Sequence, residues 1–432
     1  MTDIDVDMRA RQAFLEMVSE TAPDIAHKYK GLVTAEVGAD LFRNEATEDI
    51  YVPSSSSGYR LPASLRSKDD VNQLLAFAYE NDVNDIKFGD GEAISVRVHG
   101  KIFRLSERKL ANEELRSIMT VLYEDSSSIV TSVLGGDRKD FAYTVRQGSV
   151  MVSRWRVSVT LRTTYAGIGF RVTCRKISVV PPDPEDVRLE ADVIDSFMNL
   201  DRGMILVTGP TGSGKSTTLA ALTKNRLRSP IHSDHLITIE APVEYLHDTY
   251  ATPFSEVTQW EVPRMLHSFA YAVETSLRND PDLVMIGELR DRETMRAGIE
   301  VCLTGHGMFG TLHTSSAVQT VTRFLQSFSA EEVPAVQYDL VDNLHMILSQ
   351  LLRAGPDGRR VALRERLHFD GQIKDQLRSA KNLTQKLREI MERYGRLMVE
   401  EAEEKYREGL LTKEELDRIR YMDAKERSDA SE

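Results

Sequence analysis

Residues 203–217 read Gly-Met-Ile-Leu-Val-Thr-Gly-Pro-Thr-Gly-Ser-Gly-Lys-Ser-Thr. The apolar run Met204-Ile205-Leu206-Val207 predicts a buried strand that breaks into the loop Gly209-Pro210-Thr211-Gly212-Ser213-Gly214. The three glycines let the backbone turn with its N–H groups facing inward, as a cradle for phosphate oxygens requires. Lys215 places a point charge at the β/γ bridge of a nucleotide, and Ser216 offers a hydroxyl to Mg²⁺. A helix starting near Lys215 and running through Thr217 adds its positive dipole end. A strand, this loop and a helix start together imply a site for a nucleoside triphosphate, ATP with Mg²⁺.

Outward from the cradle, apolar strands recur at Leu236–Ile239, Leu283–Ile286 and Met308–Leu312, separated by helical stretches. That alternation predicts an α/β sheet with helices on both faces. Strand ends next to a cradle are where the chemistry belongs. Glu288 closes the run Leu283-Val284-Met285-Ile286-Gly287-Glu288 and is the candidate to support the metal, directly or through water. Leu236–Ile239 leads into Glu240-Ala241-Pro242-Val243-Glu244, where either glutamate could polarise an attacking water. Arg278 and Arg290 flank the Glu288 strand and can clamp a transferring phosphoryl group, often from a neighbouring subunit. His306 and His313 bracket the next strand and read as hydrogen-bonding orienters.

At 432 residues the chain predicts two or three domains. Residues 1–60 form an extension with a short helix over Met8–Ser19 and a Ser/Gly run at 54–58. A helix over 68–82 capped by Asp69 or Asp70 follows. Strand-like stretches then begin at Asp85–Phe88 and Ala93–His99, with a turn at Gly100-Lys101, and continue after a helix over Asn112–Tyr123. Residues 61–178 thus read as an α+β module. Val179-Val180-Pro181-Pro182-Asp183-Pro184 enforces extended backbone, so residues 179–190 are the expected linker and 191–370 the α/β domain. Residues 371–432 are expected to be helical, with Leu383, Leu387, Ile390, Tyr394 and Leu397 as an apolar stripe packed on its own domain and a disordered tail from Ala424.

Net charge −12 tilts against nucleic acid as the main partner. Cys174 and Cys302 form no C-x-x-C pair, which fits a reducing compartment and offers no thiolate zinc site; His232 and His235 read as loop residues. No stretch reaches the ~18 apolar residues of a membrane span, and no signal-peptide core is present, so a cytoplasmic location is expected.

Four motifs in order resemble the hexameric traffic ATPases of type II secretion, type IV pili and type IV secretion or conjugation. They are Gly209–Thr217, Ile237–Tyr245 (Ile-Thr-Ile-Glu-Ala-Pro-Val-Glu-Tyr), Ser276–Asp291 with its Ile-Gly-Glu-Leu-Arg-Asp, and Thr304–His313. The resemblance implies a RecA-like P-loop ATPase domain preceded by a PAS-like α+β domain and followed by a helical region. It also implies a homohexamer peripheral to the inner membrane, held by a secretion or pilus platform protein. ATP would lie between the domains, near arginines matching Arg154, Arg156 and Arg171. On this likeness Glu244 is the catalytic base, with Glu240 supporting it. Ala241 stands where the family usually carries aspartate, and Lys87 where it carries histidine. The absence of a four-cysteine module sets aside many assembly ATPases. The segment Arg360–Glu365 and the helical tail are more similar to the Dot/Icm and plasmid-transfer branch than to pilus retraction ATPases. A small-molecule kinase, a RecA-like helicase and a nucleotide-dependent scaffold remain as alternatives.

Overall fold

A computed structural model describes residues 62–98, 101–165, 167–380 and 382–429. The expected helix at Met8–Ser19, the Ser/Gly run and the turn at Gly100 lie outside them. Helix α1 (Lys68–Glu80) is capped by Ser67, whose hydroxyl accepts from the Asp70 amide. Asp69 and Asp70, the expected caps, lie inside the first turn instead. There a carboxylate favours the helix dipole, whereas a cap must sit in extended backbone one residue earlier.

Strands β1 (Asp85–Gly89), β2 (Ala93–Val98) and β3 (Lys101–Lys109) are followed by helices α2 (Asn112–Leu122) and α3 (Ser128–Leu134). Next come β4 (Lys139–Gln147), β5 (Val150–Thr164) and β6 (Gly167–Ile177). The six strands form a sheet of order β3-β2-β1-β6-β5-β4, with β1 antiparallel to both β2 and β6. In β2 the burial alternates strictly, with Ile94, Val96 and Val98 inward, because successive side chains face opposite sides of a pleated strand.

The chain divides into two compact units. The first takes the described residues up to Arg138 together with Val159–Lys176. The second takes Lys139–Ser158 and everything from Ile177 on. The Lys139–Ser158 stretch, expected within the first module, therefore belongs with the α/β core. One cause is Arg154, whose Nη2 donates to the Val243 carbonyl at 2.7 Å.

In the second unit, residues 178–190 are irregular and lead into α4 (Ala191–Met198), β7 (Gly203–Thr208) and α5 (Lys215–Leu227). Then follow β8 (His235–Glu240), β9 (Glu256–Glu261), α6 (Phe269–Ser276), β10 (Leu283–Ile286), α7 (Arg292–Leu303) and β11 (Gly307–Leu312). Helices α8 (Ala317–Gln326) and α9 (Val333–Asn343) precede the hairpin of β12 (Leu344–Ala354) and β13 (Arg360–His368). The seven-stranded sheet has the order β13-β12-β7-β11-β10-β8-β9. All its neighbours are parallel except β12 and β13.

The strands are buried on both faces. Met204, Leu206, Val284, Ile286 and Met308 pack with the helices of one face, while Ile205, Val207, Met285 and Phe309 pack against α4 and α5 on the other. A continuous apolar strand is what a two-sided parallel sheet requires. His235, expected in a loop, opens β8, and its ring lies 3.1 Å from both the Asp280 carbonyl and Thr258 Oγ1.

The C-terminal region is four helices: α10 (Gly371–Arg378), α11 (Leu383–Tyr394), α12 (Met398–Arg407) and α13 (Lys413–Asp429). Leu387 and Ile390 of the stripe join the main core, while Leu416 and Ile419 of α13 pack with Leu351 and Leu363 of the β12–β13 hairpin. The tail expected to be disordered from Ala424 continues as helix to Asp429. Among the described residues no helix is long and apolar enough to cross a membrane.

Candidate active site

Parallel pairing aligns the carboxyl ends of β7, β8, β10 and β11 at one rim of the sheet, and the loop 209–214 rises from that rim. Gly209 and Gly214 hold φ values of 146° and 85°. At Gly209 a Cβ would lie 2.3 Å from the Gln350 carbonyl oxygen, so both conformation and space demand glycine. Lys215 opens α5 and is buried; its Nζ donates to the carbonyls of Gly209 (2.8 Å) and Pro210 (3.1 Å). Burial lowers its pKa, while the charges of Glu288 and Glu244 pull the other way.

From Lys215 a line of polar groups crosses the rim. His313 Nδ1 lies 3.5 Å from Lys215 Nζ, and His313 Nε2 lies 3.2 Å from Glu288 Oε1. Arg290 Nη2 reaches Glu288 Oε2 at 2.5 Å. With an ammonium on one side and a carboxylate on the other, the neutral ring carries its proton on Nε2. His313 thus orients Glu288, and Glu288 with Lys215 places opposite charges at the loop mouth. The Gly287 carbonyl accepts from Thr311 Oγ1, which fixes the backbone just before Glu288.

The acidic segment after β8 is built differently. Glu240 is buried, and burial pushes its pKa up to about 7, helped by the nearby charge of Glu244. Its Oε1 accepts from Thr238 Oγ1 at 2.8 Å, and its Oε2 faces the Glu244 amide at 3.4 Å. Glu244 is half-buried, with Arg156 Nη1 at 3.6 Å from its Oε1. The residue before it is held at both its backbone groups: the Val243 carbonyl takes Arg154 Nη2, and the Val243 amide donates to Glu261 Oε2 at 3.2 Å. Arg154 is itself buried, so it holds the acidic segment in place instead of offering a free guanidinium to a ligand.

Two expected residues, His306 and Arg278, stand apart from this cluster. His306 precedes β11 at the opposite rim, where its carbonyl accepts from the Gly203 amide and its Nδ1 lies 3.0 Å from Thr304 Oγ1. Arg278 lies on the amino-terminal side of β10, exposed, with Nη2 3.3 Å from Glu274 Oε1. Arg171 belongs to the first unit, where it and Arg162 each approach Glu92 at 2.5 Å.

The family described as "Type II/IV secretion system protein" matches residues 71–418. The chain belongs to this family. Its members include the secretion and pilus traffic ATPases, and the relatives of this traffic ATPase bear that out. It is 34% identical over 300 residues to the type IV pilus retraction ATPase PilT of Pseudomonas aeruginosa, covering 68% of this chain and 81% of that one. The crystal structure of the ATPase DotB of Legionella pneumophila superposes with a TM-score of 0.77 at 31% identity, covering 84% of this chain and 97% of that one. A structure of the pilus retraction motor PilT with bound ADP gives 0.69 at 30% identity, covering 81% and 96%.

Mg²⁺ is tested by the donor set. Among the described residues no three His, Cys, Asp or Glu side chains gather as a metal cage. That suits an ion which takes one or two protein oxygens and leaves the rest to phosphate and water. The Ser216 hydroxyl is exposed at the start of α5, and Glu288 is on the same rim, so the residues present fit.

Sequence reasoning missed Gln350 and Arg364. Gln350, on β12, donates from Nε2 to the Ser213 carbonyl at 2.5 Å and accepts from Thr218 Oγ1 at 2.8 Å. Arg364 Nε donates to the same Gln350 oxygen at 2.9 Å. The available signal was a lone glutamine inside Met346-Ile347-Leu348-Ser349-Gln350-Leu351-Leu352, since a buried amide needs partners. A cleft of about 720 Å³ also opens beside Pro210–Ser213, lined in part by His313, Arg323 and Arg353.

Proposed function

We infer that this chain is an ATP-hydrolysing motor of a type IV secretion or conjugative transfer system. The observation that carries the reading is the line Lys215–His313–Glu288–Arg290 at the mouth of the glycine loop. Binding needs only the loop and Lys215. A carboxylate locked by a histidine and an arginine at the same mouth is what hydrolysis adds, because charge must be placed before the transition state forms.

In this mechanism the backbone amides of 209–214 and the Lys215 ammonium bind the β- and γ-phosphates of ATP. Ser216, and Glu288 directly or through water, would hold Mg²⁺, which would neutralise charge on the phosphate oxygens. Glu244 accepts the proton of the attacking water. Glu240, buried and with its pKa pushed up by that burial, stays behind it as support. Arg290, Arg278, Arg156 and Arg171 supply positive charge at the site, from the same chain or from a neighbour in a homohexamer. With Lys139–Ser158 assigned to the core, the proposed organisation is a PAS-like domain over the rest of 61–178, a linker at 179–190, the RecA-like domain at 191–370 and the helical region beyond. Such a motor works in the cytoplasm, peripheral to the inner membrane, on a platform protein and not on nucleic acid.

The likeness to DotB over nearly all of that protein supports the secretion branch. The 34% identity to PilT favours pilus retraction as the second reading. The testing experiment is Mg²⁺-dependent phosphate release together with sedimentation of the purified chain. Turnover that Lys215→Ala abolishes, with a nucleotide-strengthened species of six chain masses, is expected. Mixed rings of Arg290→Ala and Lys215→Ala should regain activity where Arg290 serves a neighbour's nucleotide. A chain that transfers phosphate to a small acceptor without releasing it to water would instead be a kinase.

A further inference from the structure

The phosphate loop rests on two residues that the reaction above does not use. Gln350 is buried under the loop, and its Oε1 accepts from both Thr218 and Arg364. Two donors on one oxygen settle which end of the amide is which, so the NH₂ group is left facing the Ser213 carbonyl. The Ser213 C=O and the Gly214 N–H belong to one planar trans peptide and point in opposite directions. Holding that carbonyl down on β12 therefore turns the Gly214 N–H away from β12, as a cradle donor requires.

Arg364 is 1% exposed and has further partners. Its Nη2 donates to the Val187 carbonyl and its Nη1 to the Arg188 carbonyl, both at 2.8 Å, with Glu190 Oε1 at 3.4 Å. Those carbonyls lie in the irregular segment that follows the prolines and connects the first unit to the second along the chain. The buried hydrogen bonds thus run without a break from residues 187–188 through Arg364 and Gln350 to Ser213. Buried donors left unpaired are costly, so the members of such a chain move together.

We propose that Gln350 is a positioning residue for nucleotide binding, and that Arg364 couples its orientation to the backbone at 187–188, so the loop's grip on ATP or ADP depends on the segment entering the core. The inference rests on the ATPase reading.

The test is titration of the full-length chain with a fluorescent ADP analogue, alongside thermal unfolding without nucleotide. Gln350→Glu keeps the oxygen that accepts from Thr218 and Arg364 and replaces the donor toward Ser213 with a second oxygen. It should weaken ADP at least tenfold and raise KM for ATP more than it lowers kcat, with the unfolding midpoint near wild type. Gln350→Met serves the same purpose should the glutamate variant not fold. A lowered midpoint with unchanged ADP affinity would make Gln350 merely structural and overturn the proposal. Arg364→Lys should weaken ADP too, and add nothing in the Gln350→Met background; additive losses would overturn the coupling. Bound ADP should slow amide hydrogen exchange at 187–190 in wild type and not in Gln350→Glu; equal slowing in both would also overturn it. Wild-type protein that binds no ADP at all would remove the ATPase reading, and this inference with it.

Discussion

Glu288 and Glu240 leave neighbouring parallel strands, β10 and β8, at the same rim of the sheet, yet one is tied to an arginine and a histidine and the other is walled in. Glu288 touches Arg290 and His313 and keeps access to solvent. Glu240 is surrounded by a threonine, a glutamine and backbone, and burial lifts its pKa to about 7. Identical side chains therefore have different surroundings: one pairs with an arginine and a histidine at the loop mouth, the other is buried with its pKa raised. Position along the strand does not separate them; the groups around each do.

The comparison breaks first at Lys215, which lies in the field of the Glu288 and Glu244 charges. Lys215→Ala should bring phosphate release down to background; turnover within a few-fold of wild type would dismantle the site. Glu288→Gln comes next. Removing one fixed charge should slow hydrolysis by ~100-fold or more while fluorescent ADP still binds within a few-fold. Equal loss of binding would mean that Glu288 supports the fold and not the reaction. Arg154→Met is a smaller blow, of roughly tenfold on kcat with KM nearly unchanged, because it frees the Val243 carbonyl and lets Glu244 wander. A KM effect instead would put Arg154 on the nucleotide.

Glu240→Gln sharpens the contrast through stability. A carboxyl with an ordinary pKa near 4.3 in the unfolded chain and about 7 in the folded one binds its proton more tightly when folded. Between those values the folded state loses stability as pH rises, and above 7 the cost stays constant. The cost is on the order of 4 kcal/mol at most. Glu240→Gln should therefore raise the unfolding midpoint at pH 8, raise it less at pH 5 and leave it nearly unmoved at pH 4. The same shift at all three values would remove the buried-acid interpretation. At Glu288, where the Arg290 guanidinium pairs with the carboxylate, the corresponding substitution should not stabilise at pH 8.

The loop, the strands that feed it and both acidic segments were legible because each is local: a few adjacent residues carry the entire signal. Gln350 and Arg364 were not. Gln350 meets Ser213 across 137 positions of sequence, and its strand is an apolar run that periodicity cannot tell from a buried helix. Strand β9, reading Glu-Val-Thr-Gln-Trp-Glu, hid for the opposite reason, since it is a polar strand at the sheet edge. Arg154 was read as a ligand group from its motif, and only the fold shows that its guanidinium is enclosed. Motif reading found the right rim of the sheet and left open which of its groups are fixed by which neighbours.

The smallest effect is expected at His306, and it tests the geometry most cleanly because the motif Thr304–His313 contains two histidines of equal standing in sequence. Strand β11 separates them. Six residues at about 3.3 Å each put the two rings roughly 20 Å apart along the strand. His313 sits where Leu312 pairs with Thr208, just before the loop; His306 sits where Gly307 pairs with Gly203, at the far rim. Its ring is 3.0 Å from Thr304 Oγ1 and touches none of the phosphate-facing groups. In a dilute, nucleotide-saturated assay His306→Ala should leave kcat within about twofold. His313→Ala, by releasing Glu288 and exposing Lys215, should cost about tenfold or more. A large loss from His306→Ala that disappears in monomeric protein would put that histidine at a contact between copies. A large loss that persists in the monomer would mean that the far rim controls the near one through the strand itself.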